Sequence, residues 1–148
     1  MITVDEIMNT HVVTITAEET IQSARMLMNE NNIRHIPVVN EENKLCGLIT
    51  QRDVLKADSS TFSVSGQQHL KSHNVEDIMT AQVVTVHPKD SLRAAGIKLQ
   101  KNKYGCLPVV DSGKVQGIIT DSDFVGVAID LIEQLDSVEE EMSDPDFI

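Results

Sequence analysis

A chain of 148 residues is near the size of one ordinary domain, and a make-up of 41% hydrophobic and 24% charged residues suits a packed core in water. Aromatic residues are only 3% with no Trp, so that core is aliphatic. A formal charge of −11 excludes a surface built to neutralise nucleic-acid phosphates or anionic lipid, so any anion must be gripped locally.

From the N-terminus, MITVDEIMNTH has neither the basic leader nor the apolar core of a secretory signal, and no 18 apolar residues run together. These features predict a soluble, cytoplasmic protein away from membranes. HVVTI, residues 11–15, is a β-branched run that predicts a strand. A helix follows, introduced by Thr16 with Glu19 at capping-box spacing, with Ile21, Ala24 and Met28 on one face. HIPVV and LCGLIT read as a hairpin, with Pro37 at a strand start or edge because it has no N–H for a ladder. A second helix begins near Gln51, where Thr50 and Asp53 again stand at capping-box spacing.

Residues 58–74 are polar, Ser-rich and without period, and are read as a linker. The pattern then returns. VDEIMNTHVVTI from Val4 recurs as VEDIMTAQVVTV from Val75, and the register holds to PVV at Pro37 and Pro108. After a turn one residue shorter, Gly47 matches Gly117, and GLITQRD is answered by GIITDSD. The chain is a duplication of a β-α-β-β-α unit, repeat one over 1–57 and repeat two over 75–126. Each copy is small for independent stability, so the halves are expected to fold against one another. In the second copy the first helix is introduced by Pro88 with Asp90, its face is Leu92, Ala95 and Leu99, and the second helix starts near Asp121 behind Thr120 and Asp123.

Residues 127–148 form a helical extension and acidic tail. Phe124, Ala128, Leu131, Ile132 and Leu135 make an apolar stripe, with EEE beyond it and SDPDF as a frayed end. Amphipathicity alone leaves the stripe open to packing on its own domain or on a second chain.

TQRD admits two readings. Thr50 and Asp53 explain themselves as a helix cap. Arg52, however, sits poorly in a first helical turn unless an anion or carboxylate is near, because the helix dipole is positive there. Arg34-His35, just before an apolar strand, is either a solvated turn or a second pair of ligand contacts. The remaining constellations are weaker. His69 and His73 align on one helix face but lack a third metal ligand, and SGKVQG lacks the glycine and hydroxyl of a P-loop. Cys46 and Cys106 are isolated in apolar surroundings and read as reduced thiols, and no nucleophile with its base is evident.

The doubled pattern IM…VVT…A…PVV…G.IT..D resembles two tandem CBS domains, the cystathionine-β-synthase-type module, from Val4 to Phe124. With no appended catalytic domain it is similar to the stand-alone bacterial type, including accessory proteins of acetoin utilisation. The resemblance implies an α/β (α+β) fold of two pseudo-symmetric repeats with a long C-terminal helix. It also implies a regulatory module and not an enzyme, with no required cofactor or metal. Its clefts would take AMP, ADP or ATP, or alternatively S-adenosylmethionine or NAD, and two chains would form a homodimer acting on an unnamed client protein. Carried over, site one comprises Thr50, Arg52, Asp53, Arg34 and His35, with Thr80, Val83 and Val84 opposite. Site two comprises Thr120, Asp123, Lys103 and Tyr104, with Met8, Val12 and Val13 opposite. In this scheme the hydroxyl and cations meet phosphate, the carboxylate meets ribose, and the β-branched residues wall the adenine. The second copy departs from the pattern, with Ser122 for Arg52 and Gly105-Cys106 for Arg34-His35, which weakens the case for phosphate there. The alternative is a scaffold whose clefts stay vacant and which acts through dimerisation and its C-terminal helix.

Overall fold

The computed structural model describes residues 1–59, 70–143 and 145–146. The first copy forms α1 (Ile21–Asn31), β1 (His35–Val39), β2 (Leu45–Thr50) and α2 (Gln51–Ser59). The second forms α3 (Leu92–Lys101), β3 (Cys106–Asp111), β4 (Lys114–Thr120) and α4 (Asp121–Ser143). The fold is thus mixed helix and strand, as expected. Each hairpin is a separate two-stranded antiparallel sheet, and each carries the same register shift, at Val38/Val39 and at Val109/Val110. The hairpin turns meet, where Leu45 N–H donates to the Gly113 carbonyl (3.0 Å) and Val115 N–H to the Asn43 carbonyl (3.1 Å).

Two expectations need correction. The β-branched runs at 11–15 and 82–86 do not form strands; each touches its sheet only at its last residue, through the parallel bridges Ile15–Val38 and Val86–Val109. The physical reason is the proline inside the neighbouring strand. Pro37 and Pro108 accept from Ile15 N–H (3.2 Å) and Val86 N–H (3.1 Å) but have no N–H to return, so no ladder extends past that point. The first helices also start later than Thr16–Glu19 and Pro88–Asp90 suggest. Thr20 caps α1 by accepting from Ser23 N–H (3.1 Å), and Ser91 caps α3 by accepting from Ala94 N–H (3.0 Å). Each hydroxyl immediately precedes a buried residue, Ile21 or Leu92, where the chain must turn from extended to helical. The expected apolar faces are in place: Ile21, Ala24 and Met28 are buried in α1, and Leu92, Ala95 and Leu99 in α3.

The cores show how the halves depend on each other. One cluster gathers Ile21, Ile36, Ile49 and Val54 of the first copy together with Val75; the other gathers Leu92, Leu107 and Ile119 of the second together with Val4. The lead-in segments are therefore exchanged. Val4 N–H donates to the Asp90 carbonyl (2.9 Å) and Val75 N–H to the Glu19 carbonyl (2.8 Å), while Asn9 bridges Ile118 and Thr80 bridges Leu48. Met8 lies over Gly117 and Met79 over Gly47, so closely that a Cβ on either glycine would stand 2.7 or 2.6 Å from the sulfur. Only glycine admits that approach.

α4 runs for 23 residues with none buried. Phe124 and Val127 pack against the second core. Beyond them Ile129, Leu131, Ile132, Leu135, Val138 and Met142 are each half or more exposed, so the stripe does not pack on the described residues of its own chain. His69, most of the linker and part of the SDPDF end lie outside the described residues. No helix among the described residues is long and apolar enough to cross a membrane.

Candidate ligand-binding cleft

Both second helices begin at the floor of one cleft, of about 830 Å³, and the two repeats face each other across it. The hairpin geometry puts them there. β2 and β4 run directly into α2 and α4, and each helix start is tied to the residue ahead of the neighbouring strand. Gln51 N–H donates to the Arg34 carbonyl (2.8 Å) and Asp121 N–H to the Gly105 carbonyl (3.1 Å).

The capping boxes are real. Asp53 Oδ2 accepts from Thr50 N–H (2.9 Å) and from its hydroxyl (2.9 Å), and Asp53 N–H donates to Thr50 Oγ1 (3.2 Å). Thr120 and Asp123 repeat the carboxylate half of this, with Asp123 Oδ2 accepting from Thr120 N–H (2.8 Å) and hydroxyl (3.3 Å). In both boxes one carboxylate oxygen does the capping. Oδ1 stands outside the box, so capping and ligand binding are geometrically compatible.

Charge is distributed unlike the rest of the molecule. Arg34, Arg52, Lys56 and Lys103 all line the cleft, four of only 12 basic residues in the chain, together with Asp53, Asp121 and Asp123. Lysine and arginine side chains and helix N-termini are each favourable surroundings for an anion, and carboxylates are not. Apolar wall comes from Val12, Val13, Ile33, Pro37, Leu55 and Ile118.

A polar bridge joins the repeats at the rim. His35 Nε2 bonds the Tyr104 carbonyl, and the Thr80 hydroxyl donates to the Tyr104 hydroxyl (3.3 Å). Burial lowers the His35 pKa, opposed in part by the Tyr104 carbonyl, so the ring is neutral at pH 7 and gives its Nε2 proton to that carbonyl. In the second copy Cys106 occupies the corresponding strand position. Burial, followed by the charge of Asp121, pushes its thiol up to about 12.

Of the expected site residues, Arg34, His35, Thr50, Arg52, Asp53 and Thr80 from site one line the cleft, as do Val12, Val13, Lys103, Tyr104, Thr120 and Asp123 from site two. The two sites are therefore brought together in one continuous space. Three residues are not. Met8 is committed to Gly117 and the second core, while Val83 and Val84 lie beyond Thr80, where the chain leaves the cleft to reach its own sheet at Val86. Sequence reasoning passed over Asn9, His11, Gln51, Asn102 and Gly105. Asn9 had a usable signal, since it occupies in repeat one the place of Thr80 in repeat two.

The CBS domain family model matches residues 4–60 and 75–130, and the chain belongs to that family. Among solved structures it is similar to the Vibrio cholerae protein AcuB, assigned to acetoin utilization. The two share 38% identity with a TM-score of 0.81, over 92% of this chain and 98% of that one. It is similar to the CBS domain pair of protein MJ0100, solved with 5′-methylthioadenosine and S-adenosyl-L-methionine. That identity is 30% and the TM-score 0.72, over 84% of this chain and 94% of that one. It also resembles CBSX2 of Arabidopsis thaliana, solved with AMP, at 26% identity and TM-score 0.76, over 88% of this chain and 98% of that one. Among curated proteins, a homoserine O-acetyltransferase of Methanococcus vannielii is 40% identical over 79% of this chain, but the chain spans only 23% of that protein's length.

Proposed function

We propose that this chain is a regulatory module that binds an adenosine-type ligand in the cleft between its repeats and transmits occupancy through their packing. One observation carries the reading: two capped helix N-termini and four cations converge on a single cleft in a chain of charge −11. The neighbours solved with AMP and with adenosyl thioethers support it. Arg52 and Arg34 meet phosphate, the Thr50 hydroxyl joins them by turning its proton away from Asp53 Oδ2, Asp53 accepts from the ribose diol through the oxygen its cap leaves over, and the apolar wall takes the purine. Occupancy acts by favouring one arrangement of the repeats over another, which requires different affinity for the two. The His35–Tyr104 bridge spans them at the rim and is the contact best placed to report it. No acid–base constellation in the cleft calls for turnover, so the module is read as a binder and not an enzyme. Calorimetric titration with AMP, ADP, ATP, S-adenosylmethionine and NAD tests the proposal. Saturable heat with a matching rise in Tm supports it, and no heat with any of them refutes it.

A second reading rests on the exposed stripe of α4, which fits a scaffold acting through homodimerisation in the cytoplasm. In that case a chain ending after Ala128 keeps its thermal unfolding but sediments as a monomer, while nucleotides change neither property.

A further inference from the structure

We propose that the cleft is divided by charge: the half built on α2 takes the phosphate of a nucleotide, and the half built on α4 takes an adenosyl ligand with no phosphate, neutral or cationic at its 5′ end. The inference rests on the adenosine reading above and assigns ligand class within that same cleft.

The division comes from what each repeat places at matching positions. In the first half the residue ahead of the hairpin is Arg34, and α2 opens with Gln51-Arg52, so that with Lys56 the first repeat contributes three of the cleft's lysines and arginines and, in Asp53, one carboxylate. In the second half the matching residue is Gly105, at φ +72°, and α4 opens with Asp121-Ser122. The substitution of Arg34 by Gly105 is more than a loss. A Cβ on Gly105 would stand 2.6 Å from Asp121 Oδ2, so the Asp121 carboxylate occupies the space into which a side chain at 105 would start. An acid thus stands in the second half where the first half begins a guanidinium. With Asp123 the second repeat contributes two carboxylates to the cleft lining, and the one lysine or arginine it contributes is the exposed Lys103.

A phosphate brought there would meet two negative charges at short range, and like charges at such distance exclude one another. The helix N-terminus does not rescue it, because Asp121 already supplies the negative charge that end favours. The ribose function survives, since the Thr120–Asp123 box matches Thr50–Asp53. What remains is a pocket half for a nucleoside whose 5′ substituent is a thioether, or a sulfonium whose amino-acid tail carries an ammonium and a carboxylate for a net charge of about +1, the net cation being favoured by the paired acids.

AMP, 5′-methylthioadenosine and S-adenosylmethionine are the probes, titrated calorimetrically into the full chain. The expected result is one equivalent of AMP per chain, with S-adenosylmethionine then binding to AMP-saturated protein without displacing it. Asp53→Asn lowers AMP affinity about tenfold and leaves S-adenosylmethionine unchanged, whereas Asp123→Asn does the reverse. Because a capping variant can also lose stability, the decisive variant is a gain. Asp121→Gln with Ser122→Arg installs the first repeat's residues in the second and is expected to admit a second equivalent of AMP. Two equivalents of AMP of similar affinity in the natural chain overturn the division while leaving the adenosine reading standing. So does competition of AMP and S-adenosylmethionine for one site that needs Asp53. Heat from none of the three probes overturns the adenosine reading itself, and the division with it.

Discussion

Asp53 has two roles that a pair of substitutions can separate. Its Oδ2 accepts two hydrogen bonds from Thr50, at 2.9 Å each, which hold the α2 N-terminus, and its Oδ1 is left for a ribose hydroxyl. Asp53→Ala removes both functions. Loss of an N-terminal cap costs about 1 kcal/mol, or about 3 °C in a chain of this size. Asp53→Asn removes only one of them. Its amide oxygen can still accept from Thr50, so unfolding changes by less than about 0.5 kcal/mol, but its amide nitrogen cannot accept from ribose. A charge-assisted hydrogen bond is worth about 1.5–3 kcal/mol, so both variants are expected to bind AMP at least about tenfold more weakly. Calorimetric titration with AMP, alongside thermal unfolding followed by circular dichroism, reads the two quantities independently. Wild-type AMP affinity in Asp53→Asn would refute the reasoning and reduce the carboxylate to a cap.

Gly47→Ala places a methyl 2.6 Å from Met79 Sδ and 2.8 Å from the Thr80 carbonyl. The methionine can swing away but the backbone oxygen cannot, so a loss of about 1–3 kcal/mol is expected in denaturant unfolding, with Gly117→Ala equivalent through Met8 and Asn9. An unchanged midpoint would show that the lead-in segments are loosely seated. His35 has a folded pKa below its ordinary value of 6.5, so the unfolded chain takes up the proton first. Its contribution is therefore complete above about pH 6.5 and is lost as pH falls below that toward the folded value. His35→Gln keeps a donor for the Tyr104 carbonyl without the titration, and is expected to flatten the acid-side slope of urea stability between about pH 7 and 5. An identical slope in wild type and variant would exclude His35 as its source.

The parts of this fold that were legible in the sequence are those decided locally. The hairpins, the buried faces of α1 and α3 and both second-helix boxes depend on residues within a few positions of one another, and the duplication displayed each twice. The fold elements that misled depend on a distant neighbour. Residues 11–15 carry every mark of a strand, yet pairing fails because Pro37 lies alongside. Thr16 and Thr20 are both plausible caps, and the packing that buries Ile21 selects the second. In the cleft, Thr50, Arg52 and Asp53 were visible as a motif, whereas Asp121 was visible only as one more acid. Its position depends on Gly105, distant in sequence, whose missing side chain leaves room for the carboxylate. Val83 and Val84 were carried over from the family resemblance, and they are not among the residues lining the cleft although Val12 and Val13 are.

The exchange of lead-in segments has a bearing on how such a molecule arises. A lone repeat cannot seat its own first residues, because Val4 is buried in the other half and Val75 in the first. Two identical one-repeat chains solve this by swapping those segments around a two-fold axis, each stopping the other's core. The present chain holds in one polypeptide the arrangement such a swapped pair would have, and a covalent connection replaces a dimerisation constant by an effective concentration. Identical partners are bound to identical residues; fused ones are not. Arg34 where the other repeat has Gly105, and Gln51-Arg52 where it has Asp121-Ser122, are differences that two identical chains could not carry.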